Sequence, residues 1–530
     1  TPDRPRHLLD HSPERFEEAL EGARALVPKL AGVGIERWIN GLESFTPDGE
    51  FILGESEVRG FWVATGFCVH GLAGAGGAGK TIAEWIVDGQ PEWDVSSMSL
   101  SRFSVQHRSG RYVRERVLEA YSRYYEIIYP NEEKESARSL KMSSCYERLA
   151  RLGASFGEKA GWERANWFST NESAGNDSLR PHGWAGRFWS PAIGGEHRAC
   201  RESAALFDQS SFAKIEVSGA GAGVLLERLC ANRVDRAEGS VTYTQMLNGR
   251  GGIESDFTVT KLGPQLFRIV TGTAFGGHDL AWIRKHAPED SVKLEDVTSR
   301  YACLGLWGPQ ARSILQPLCD EDLSNDGFPF LRARSIAIGW VPCLALRVTY
   351  VGELGWELYC PTEFGGALWD ALWDAGRSSG LVPAGYRAID SLRLEKGYRA
   401  WGSDITPDDN PWEAGLGFAV KLDKEHFVGK EALVAAREGR PTRKLVCLVL
   451  DDPLSVATGS EPVRIDGAIS GRVTSGGYGY TVERSIAYAY VPSDRAESGR
   501  RVEVSMFGDW MGAEIASEPL YDPKGVRTRS

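Results

Sequence analysis

The run Thr242-Tyr243-Thr244-Gln245-Met246-Leu247, Asn248-Gly249-Arg250-Gly251-Gly252, Ile253-Glu254-Ser255-Asp256-Phe257-Thr258-Val259 decides how this chain is read. Two β-prone stretches flank a glycine-rich turn, which predicts a hairpin. Period-two alternation puts Ile253, Phe257 and Val259 on one face and Glu254, Asp256 and Thr258 on the other. If the apolar face is core, Asp256 points into whatever the opposite face lines. The same alternation also allows a solvated strand carboxylate.

A second hairpin repeats the pattern. Leu344, Leu346, Val348 and Tyr350 alternate, Val351 to Gly355 turns the chain, and Trp356-Glu357-Leu358-Tyr359 returns. Glu357 therefore faces away from Trp356 and Leu358. Gly385 to Gly397 follows as an amphipathic helix with Ile389, Leu392 and Lys396 at helical spacing. Arg387, Arg393 and Arg399 either donate to an acid or form a solvated face. Short strands, glycine turns and a few helices alternate from about Gly153 to Gly439. Arg440 to Arg443 reads as a linker, and the strand-like runs Leu445–Leu450 and Val502–Met506 predict a terminal β-barrel or sandwich.

At 530 residues, 42% hydrophobic and 25% charged, the chain has the length and composition of three or four globular domains. A net charge of −11 argues against a protein built to grip nucleic acid. Nine scattered cysteines without a Cys-x-x-Cys pair predict buried thiols in a reducing compartment, not a zinc ribbon or a disulfide framework. His7 and His11 share an i, i+4 spacing but lack a metalloprotease glutamate, so no metal site is expected. The longest uncharged stretch, Phe61–Gly79, is glycine-rich and reads as strand plus loop, not as a membrane span, and no secretory signal opens the chain.

Upstream, Ser12 caps and Pro13 starts a helix whose Phe16, Ala19, Leu20, Ala23, Leu26, Val27 and Leu30 share one face, with Pro28 ending it. Phe61–Thr65 reads as a strand, Gly66–Gly79 as a glycine-dense loop, and Lys80–Val87 as a helix stopped by Gly89. A Tyr-rich helix is expected over Arg111–Ile128. Gly74-Ala75-Gly76-Gly77-Ala78-Gly79-Lys80-Thr81 satisfies the phosphate-loop pattern G-x-x-x-x-G-K-T. Its context does not suit a nucleotide hydrolase, because the preceding strand ends near Phe67 and no apolar strand ending in a metal-binding aspartate follows. The other reading is a glycine segment packed close to a flat ligand or another backbone.

Together these segments resemble a known family. Ala205-Leu206-Phe207-Asp208-Gln209-Ser210-Ser211-Phe212-Ala213-Lys214, the first hairpin through Asp256, Tyr350 to Glu357, and Asp390-Ser391-Leu392-Arg393-Leu394-Glu395-Lys396-Gly397 look like the aminomethyltransferase (T-protein) of the glycine cleavage system. Gly471-Arg472-Val473-Thr474-Ser475-Gly476-Gly477 resembles that family's C-terminal barrel. Further upstream, Gly41 to Gly49, Gly66 to Lys80 and Glu158 to Phe168 resemble the dimethylglycine and sarcosine dehydrogenases, in which an FAD domain precedes a folate-binding T-protein-like module.

The resemblance implies an α+β multidomain chain: residues 1–100 a remnant of an FAD-dependent oxidoreductase domain, 101–152 a linking region, 153–440 the folate-binding domain, and 441–530 a β-barrel. It assigns catalysis to Asp256, folate binding to Tyr243, Glu357 and Arg387, and a flavin-adjacent position to Cys68, Val69, His70, Gly71 and Leu72. Ile389 and Gly272 stand where the T-protein commonly has Arg and Asn, and Arg387 is the expected substitute. The implied cofactors are tetrahydrofolate and FAD. No strand–G-x-G-x-x-G–acid unit precedes Gly41, so FAD is expected to need a further N-terminal part, either missing from a cut chain or carried by a separate polypeptide. The implied function is transfer of the carbon released by oxidative N-demethylation to tetrahydrofolate, giving 5,10-methylenetetrahydrofolate. The alternatives are a folate-dependent O- or S-demethylase and a non-catalytic folate-binding subunit. Expected partners are a small methylated amine or amino acid and folate, without nucleic acid or membrane, in the cytoplasm or a mitochondrial matrix.

Overall fold

The computed structural model describes residues 8–288 and 290–530; His7 lies outside them, and His11 stacks on Trp38 with ring centroids 6.0 Å apart. Two antiparallel-rich sheets form the centre. The first has five strands in the order Lys293–Asp296, Ala213–Ser218, Leu266–Thr271, Ile253–Gly263, Val241–Leu247. The second has six, in the order Ala333–Ile338, Val341–Leu346, Gly355–Pro361, Tyr301–Trp307, Ala204–Asp208, Leu381–Pro383.

Each sheet buries one face under helices. Ile215, Val217, Met246, Phe257, Val259, Phe267 and Ile269 pack with Leu225, Leu226 and Leu229 of the helix Ala222–Leu229 and Ile283 of the helix Gly276–His286. On the second sheet, Leu304, Leu306, Trp356, Leu358 and Cys360 pack with Ile314, Leu368, Trp369 and Leu372. The other two faces meet each other. Val241 and Val270 from the first sheet join Cys303, Leu346 and Tyr359 from the second in one buried cluster. Polar residues that alternate with the outer cores are thus turned inward, into the seam.

Arg443–Leu450, Arg484–Pro492, Ala468–Gly479, Pro462–Ile465, Arg501–Met506 and Asp509–Ala516 close into a barrel around Val446, Leu448, Val463, Val473, Ala487 and Val504. The helix Tyr386–Lys396 binds it to the central sheets. Gly397, at φ 68°, terminates that helix in the left-handed region. Ser391 Oγ donates to Tyr478 O at 2.6 Å. Arg393 pairs with buried Asp404, and Arg399 reaches Glu518 at 2.7 Å. Both arginines are buried, so they are donors to acids and not a solvated face.

Three expectations are corrected. The glycine-dense stretch is not a loop: Gly71–Asp88 is one 18-residue helix, ended by Gly89 at φ 79°. Its small residues let the helix lie directly on Phe51, whose ring leaves no room for a Cβ at Gly74. Gly74 to Thr81 being helical, the segment cannot wrap phosphates, and Lys80 pairs with Glu84 and Glu92 instead. The helix expected to reach Ile128 spans Gly110–Ser122, because Tyr124 turns back to pack edge-on against Phe45, 5.2 Å away. The first helix, Pro13–Leu26, starts at Pro13 and ends ahead of Pro28 as expected, and none of its residues is buried; Leu26 is 85% exposed. In the second hairpin the outgoing strand stops at Leu346. There the fully buried Arg347 turns its guanidinium inward, donating to Phe328 O at 2.6 Å and Asn325 Oδ1 at 2.7 Å.

Candidate active site

The hairpin register fixes what surrounds Asp256. Gln245 stands directly opposite Asp256, and Tyr243 opposite Thr258, so all four share a face. That face carries Val241 and, on the next two strands in turn, Val270 and Lys214, which places it in the seam between the sheets. Asn248 holds the turn: its Oδ1 accepts the N–H groups of Arg250 and Gly252, each at 3.0 Å.

Gln245 Nε2 donates to Asp256 Oδ1 at 2.8 Å. Burial raises the Asp256 pKa to about 6, with the nearby Asp279 charge adding and the Tyr243 and Gln245 side chains opposing. Asp256, Tyr243 and Tyr350 are each half-buried and keep partial solvent contact. Tyr243 stacks on Phe418, centroids 6.0 Å apart, and Phe418 is 68% exposed. A large exposed aromatic beside a half-buried tyrosine leaves a flat apolar wall available.

Glu357 occupies the facing sheet. It opposes Leu346 on one side and Gly305 on the other, and Leu346 belongs to the seam cluster. Tyr359 donates its hydroxyl to Glu357 Oε2 at 2.6 Å. Burial raises the Glu357 pKa, with Tyr359 and the Lys214 charge pulling the other way. Lys214 itself is fully buried, giving its ammonium protons to Ser210 O and Phe212 O, both at 2.9 Å. Burial lowers it to about 8.

Asp256 with Tyr243, and Glu357 with Tyr359, thus sit on the two inner faces that meet in the seam. Arg387 is placed differently: its guanidinium engages Asn131 and, at 3.5 Å, Glu133. Among the described residues no hydrogen bond or ion pair joins it to Asp256 or Glu357. Ile389 is buried core, and a side chain at Gly272 would collide with the Phe275 ring 2.8 Å away, which accounts for glycine there.

Cys68 and Val69, at φ 47° and 66°, form a left-handed turn leading into the helix Gly71–Asp88. Cys68 is buried against Thr46, His70 lies 5.8 Å from the Tyr124 ring, and Leu72 is 99% exposed. A β-branched residue in that region is strained, a condition that persists only where the surroundings enforce it.

Gln245, Tyr359 and Lys214 escaped the sequence reading. Register against Asp256 marks the first once the turn is counted, and period two from Glu357 marks the second. Nothing in the sequence distinguishes Lys214 from a solvated lysine.

Family models match along the chain: "FAD dependent oxidoreductase" at residues 2–85, "FAD dependent oxidoreductase central domain" at 88–143, "GCVT N-terminal domain" at 145–424, and "Glycine cleavage T-protein C-terminal barrel domain" at 443–522. The chain is 38% identical to 4-methylaminobutanoate oxidase (formaldehyde-forming) of Paenarthrobacter nicotinovorans, over 97% of this chain and 62% of the relative. It is 35% identical to mitochondrial dimethylglycine dehydrogenase of Rattus norvegicus, over 99% of this chain and 61% of the relative. It therefore spans about three fifths of the length of these relatives. The crystal structure of the glycine cleavage system aminomethyltransferase T from Bartonella henselae superposes with a TM-score of 0.63 at 27% identity, covering 73% of this chain and 99% of that one. With the T-protein model spanning more than half its length and these relatives matching nearly all of it, the chain belongs to the glycine cleavage T-protein family, in the branch of the dimethylglycine and sarcosine dehydrogenases.

Proposed function

We propose that this chain carries the tetrahydrofolate-dependent one-carbon transfer of an FAD-dependent N-methyl amine oxidase or dehydrogenase. The observation that supports it most is the placement of Asp256 and Glu357 on the two inner faces that meet between the sheets. Tetrahydrofolate would supply two nitrogens that take up a carbon at the oxidation level of formaldehyde. Glu357 would accept two parallel hydrogen bonds from the pterin amino and ring N–H edge, with Tyr359 fixing its orientation and Lys214 balancing its charge. Tyr243 and Phe418 would form the flat wall. Asp256, with a pKa near 6, is poised to take up the proton lost as the carbon is bound and to stabilise an approaching iminium cation. The seam would keep that electrophile from water.

The carbon source is a small methylated amine or amino acid, in keeping with the relatives' names. FAD, where bound, would supply the two-electron oxidation of such a substrate. The strained turn at Cys68 and Val69, with His70, Gly71 and exposed Leu72 at the helix start, fits one wall beside a flat ring. The test is enzyme-dependent formation of 5,10-methylenetetrahydrofolate from formaldehyde and tetrahydrofolate, measured above the uncatalysed rate. The reading predicts acceleration by the chain and none by Asp256→Ala. No acceleration by the unaltered chain would overturn it.

A further inference from the structure

Arg164, on the strand Trp162–Phe168, carries a charge that the fold does not use. The strand lies against the helix Tyr386–Lys396, and the half-buried guanidinium stacks on the Tyr386 ring, 3.4 Å from its centroid. Among the described residues it has no hydrogen-bond or ion-pair partner, and its Nε is buried without one. The acid on this side of the strand is already engaged: Glu133 accepts from Asn166 Nδ2 and from the Glu158 N–H, each at 2.9 Å, and from Arg387 at 3.5 Å. Tyr386 is buried and held in place. Its hydroxyl lies 3.1 Å from Ser211 Oγ, which lies 3.0 Å from Thr273 Oγ1, and its ring meets Phe212 edge-on with centroids 6.0 Å apart. Phe212 packs on the seam cluster. Val270 pairs with Thr258, so the antiparallel chain draws level with Asp256 near Gly272, one residue before Thr273. Arg164 is thus linked through Tyr386 and Ser211 to the end of the seam that holds Asp256.

We propose that Arg164 binds a carboxylate of the ligand seated in the seam and so selects for anionic ligands. The inference rests on the reading of the seam as the one-carbon site. Stacking occupies the face of a guanidinium and leaves its N–H donors, which lie in the plane of the group, free to take a carboxylate side-on. A neutral side chain would stack on Tyr386 with less desolvation, so the charge points to an anion. Arg387, next to Tyr386 in the chain, adds positive charge, but its donors are engaged by Asn131 and Glu133, whereas those of Arg164 are open. Asp256 and Glu357 are acids, so a carboxylate is repelled from the inner seam and drawn to Arg164. That complementarity orients a ligand whose two ends differ in charge. Two ligands of the proposed reaction carry such a group: tetrahydrofolate, at the glutamate end remote from its pterin, and a methylated amino acid.

The experiment is isothermal calorimetry of the full chain and of Arg164→Gln, whose side chain is planar but neutral. The probes are tetrahydrofolate, 6-methyltetrahydropterin, which has no carboxylate, and dimethylglycine. Arg164→Gln binds tetrahydrofolate about tenfold more weakly and 6-methyltetrahydropterin as before if the folate tail supplies the carboxylate. It loses about tenfold on dimethylglycine, with tetrahydrofolate unchanged, if the amino acid supplies it. Either selective loss upholds the inference. Unchanged affinity for both carboxylates overturns it and leaves the folate reading standing. An equal loss on tetrahydrofolate and 6-methyltetrahydropterin, with dimethylglycine unchanged, also overturns it, since a merely structural role gives that result. If the unaltered chain binds no tetrahydrofolate, the folate reading fails and dimethylglycine alone decides the role of Arg164. Should Arg164→Gln fail to fold, Arg164→Lys takes its place: it keeps the charge without the planar fork, and its selective loss is about threefold. No selective loss in that variant overturns the inference.

Discussion

Gln245 and Asp256 lie directly across from each other on neighbouring antiparallel strands, and the amide donates to the carboxylate at 2.8 Å. That bond favours the ionised form, opposing the burial that raises Asp256 to about 6. Gln245→Leu removes a hydrogen bond to a charged group worth about 1.5 kcal/mol or more. The limb of the transfer pH profile that needs the Asp256 carboxylate moves up by about one unit. A steady-state pH profile of the two proteins checks this, and an unmoved limb contradicts it.

Glu357 carries the ligand-binding half of the account. Glu357→Ala weakens tetrahydrofolate binding by about a hundredfold, the loss of a charge-assisted pair worth about 3 kcal/mol. Tyr359→Phe costs less, about tenfold, because it frees Glu357 without deleting it. Quenching of tryptophan fluorescence during folate titration measures both. Folding is unaffected in Tyr359→Phe, as the ring stays in the seam cluster.

The joint between the helix Tyr386–Lys396 and the barrel is sensitive to acid. Glu395 is fully buried and receives Arg201 at 3.1 Å and the Thr481 N–H at 2.7 Å, with His197 3.3 Å away. Burial alone would raise its pKa; His197, Arg201 and the Thr481 N–H bring it down to about 2, from an ordinary value of 4.5. The folded chain thus holds this proton less tightly than the unfolded one. The stabilisation, on the order of 3 kcal/mol, is fully present above about pH 4.5 and is lost as pH falls toward 2. Thermal melts across that window show a steep acid loss in the unaltered chain. Glu395→Gln shows a shallower one and melts earlier at neutral pH.

Two glycines of the helix Gly71–Asp88 separate propensity from packing. A Cβ at Gly77 meets nothing within 4 Å, whereas one at Gly74 comes within 2.6 Å of the Phe51 ring. Gly77→Ala stabilises the N-terminal segment by up to about 1 kcal/mol. Gly74→Ala destabilises it by about 1–2 kcal/mol, because overpacking exceeds the gain in helix propensity. Limited proteolysis within residues 40–90 resolves the difference.

The first hairpin was legible because two local signals agreed, an Asn-Gly turn and strict alternation, and a buried sheet face made that register the stable one. Glu357 was placed correctly for the same reason, although its partner strand ended early where Arg347 turned inward. Alternation assigns a residue to a face but does not say what that face meets. That the two polar faces meet each other follows from the helices covering both outer faces, a long-range fact. The glycine-rich helix was misread because glycine's local cost outweighs any local clue, and the compensating contact with Phe51 is tertiary. Arg387 looked available from sequence because Asn131 and Glu133, its partners, lie some 250 residues upstream.

The most direct test is a crystal structure of the chain with a stable tetrahydrofolate analogue. The account predicts the pterin between the two sheets, its amino edge on Glu357 and its bridging nitrogens beside Asp256. Density for the analogue elsewhere, with the seam closed and both carboxylates untouched, would contradict it.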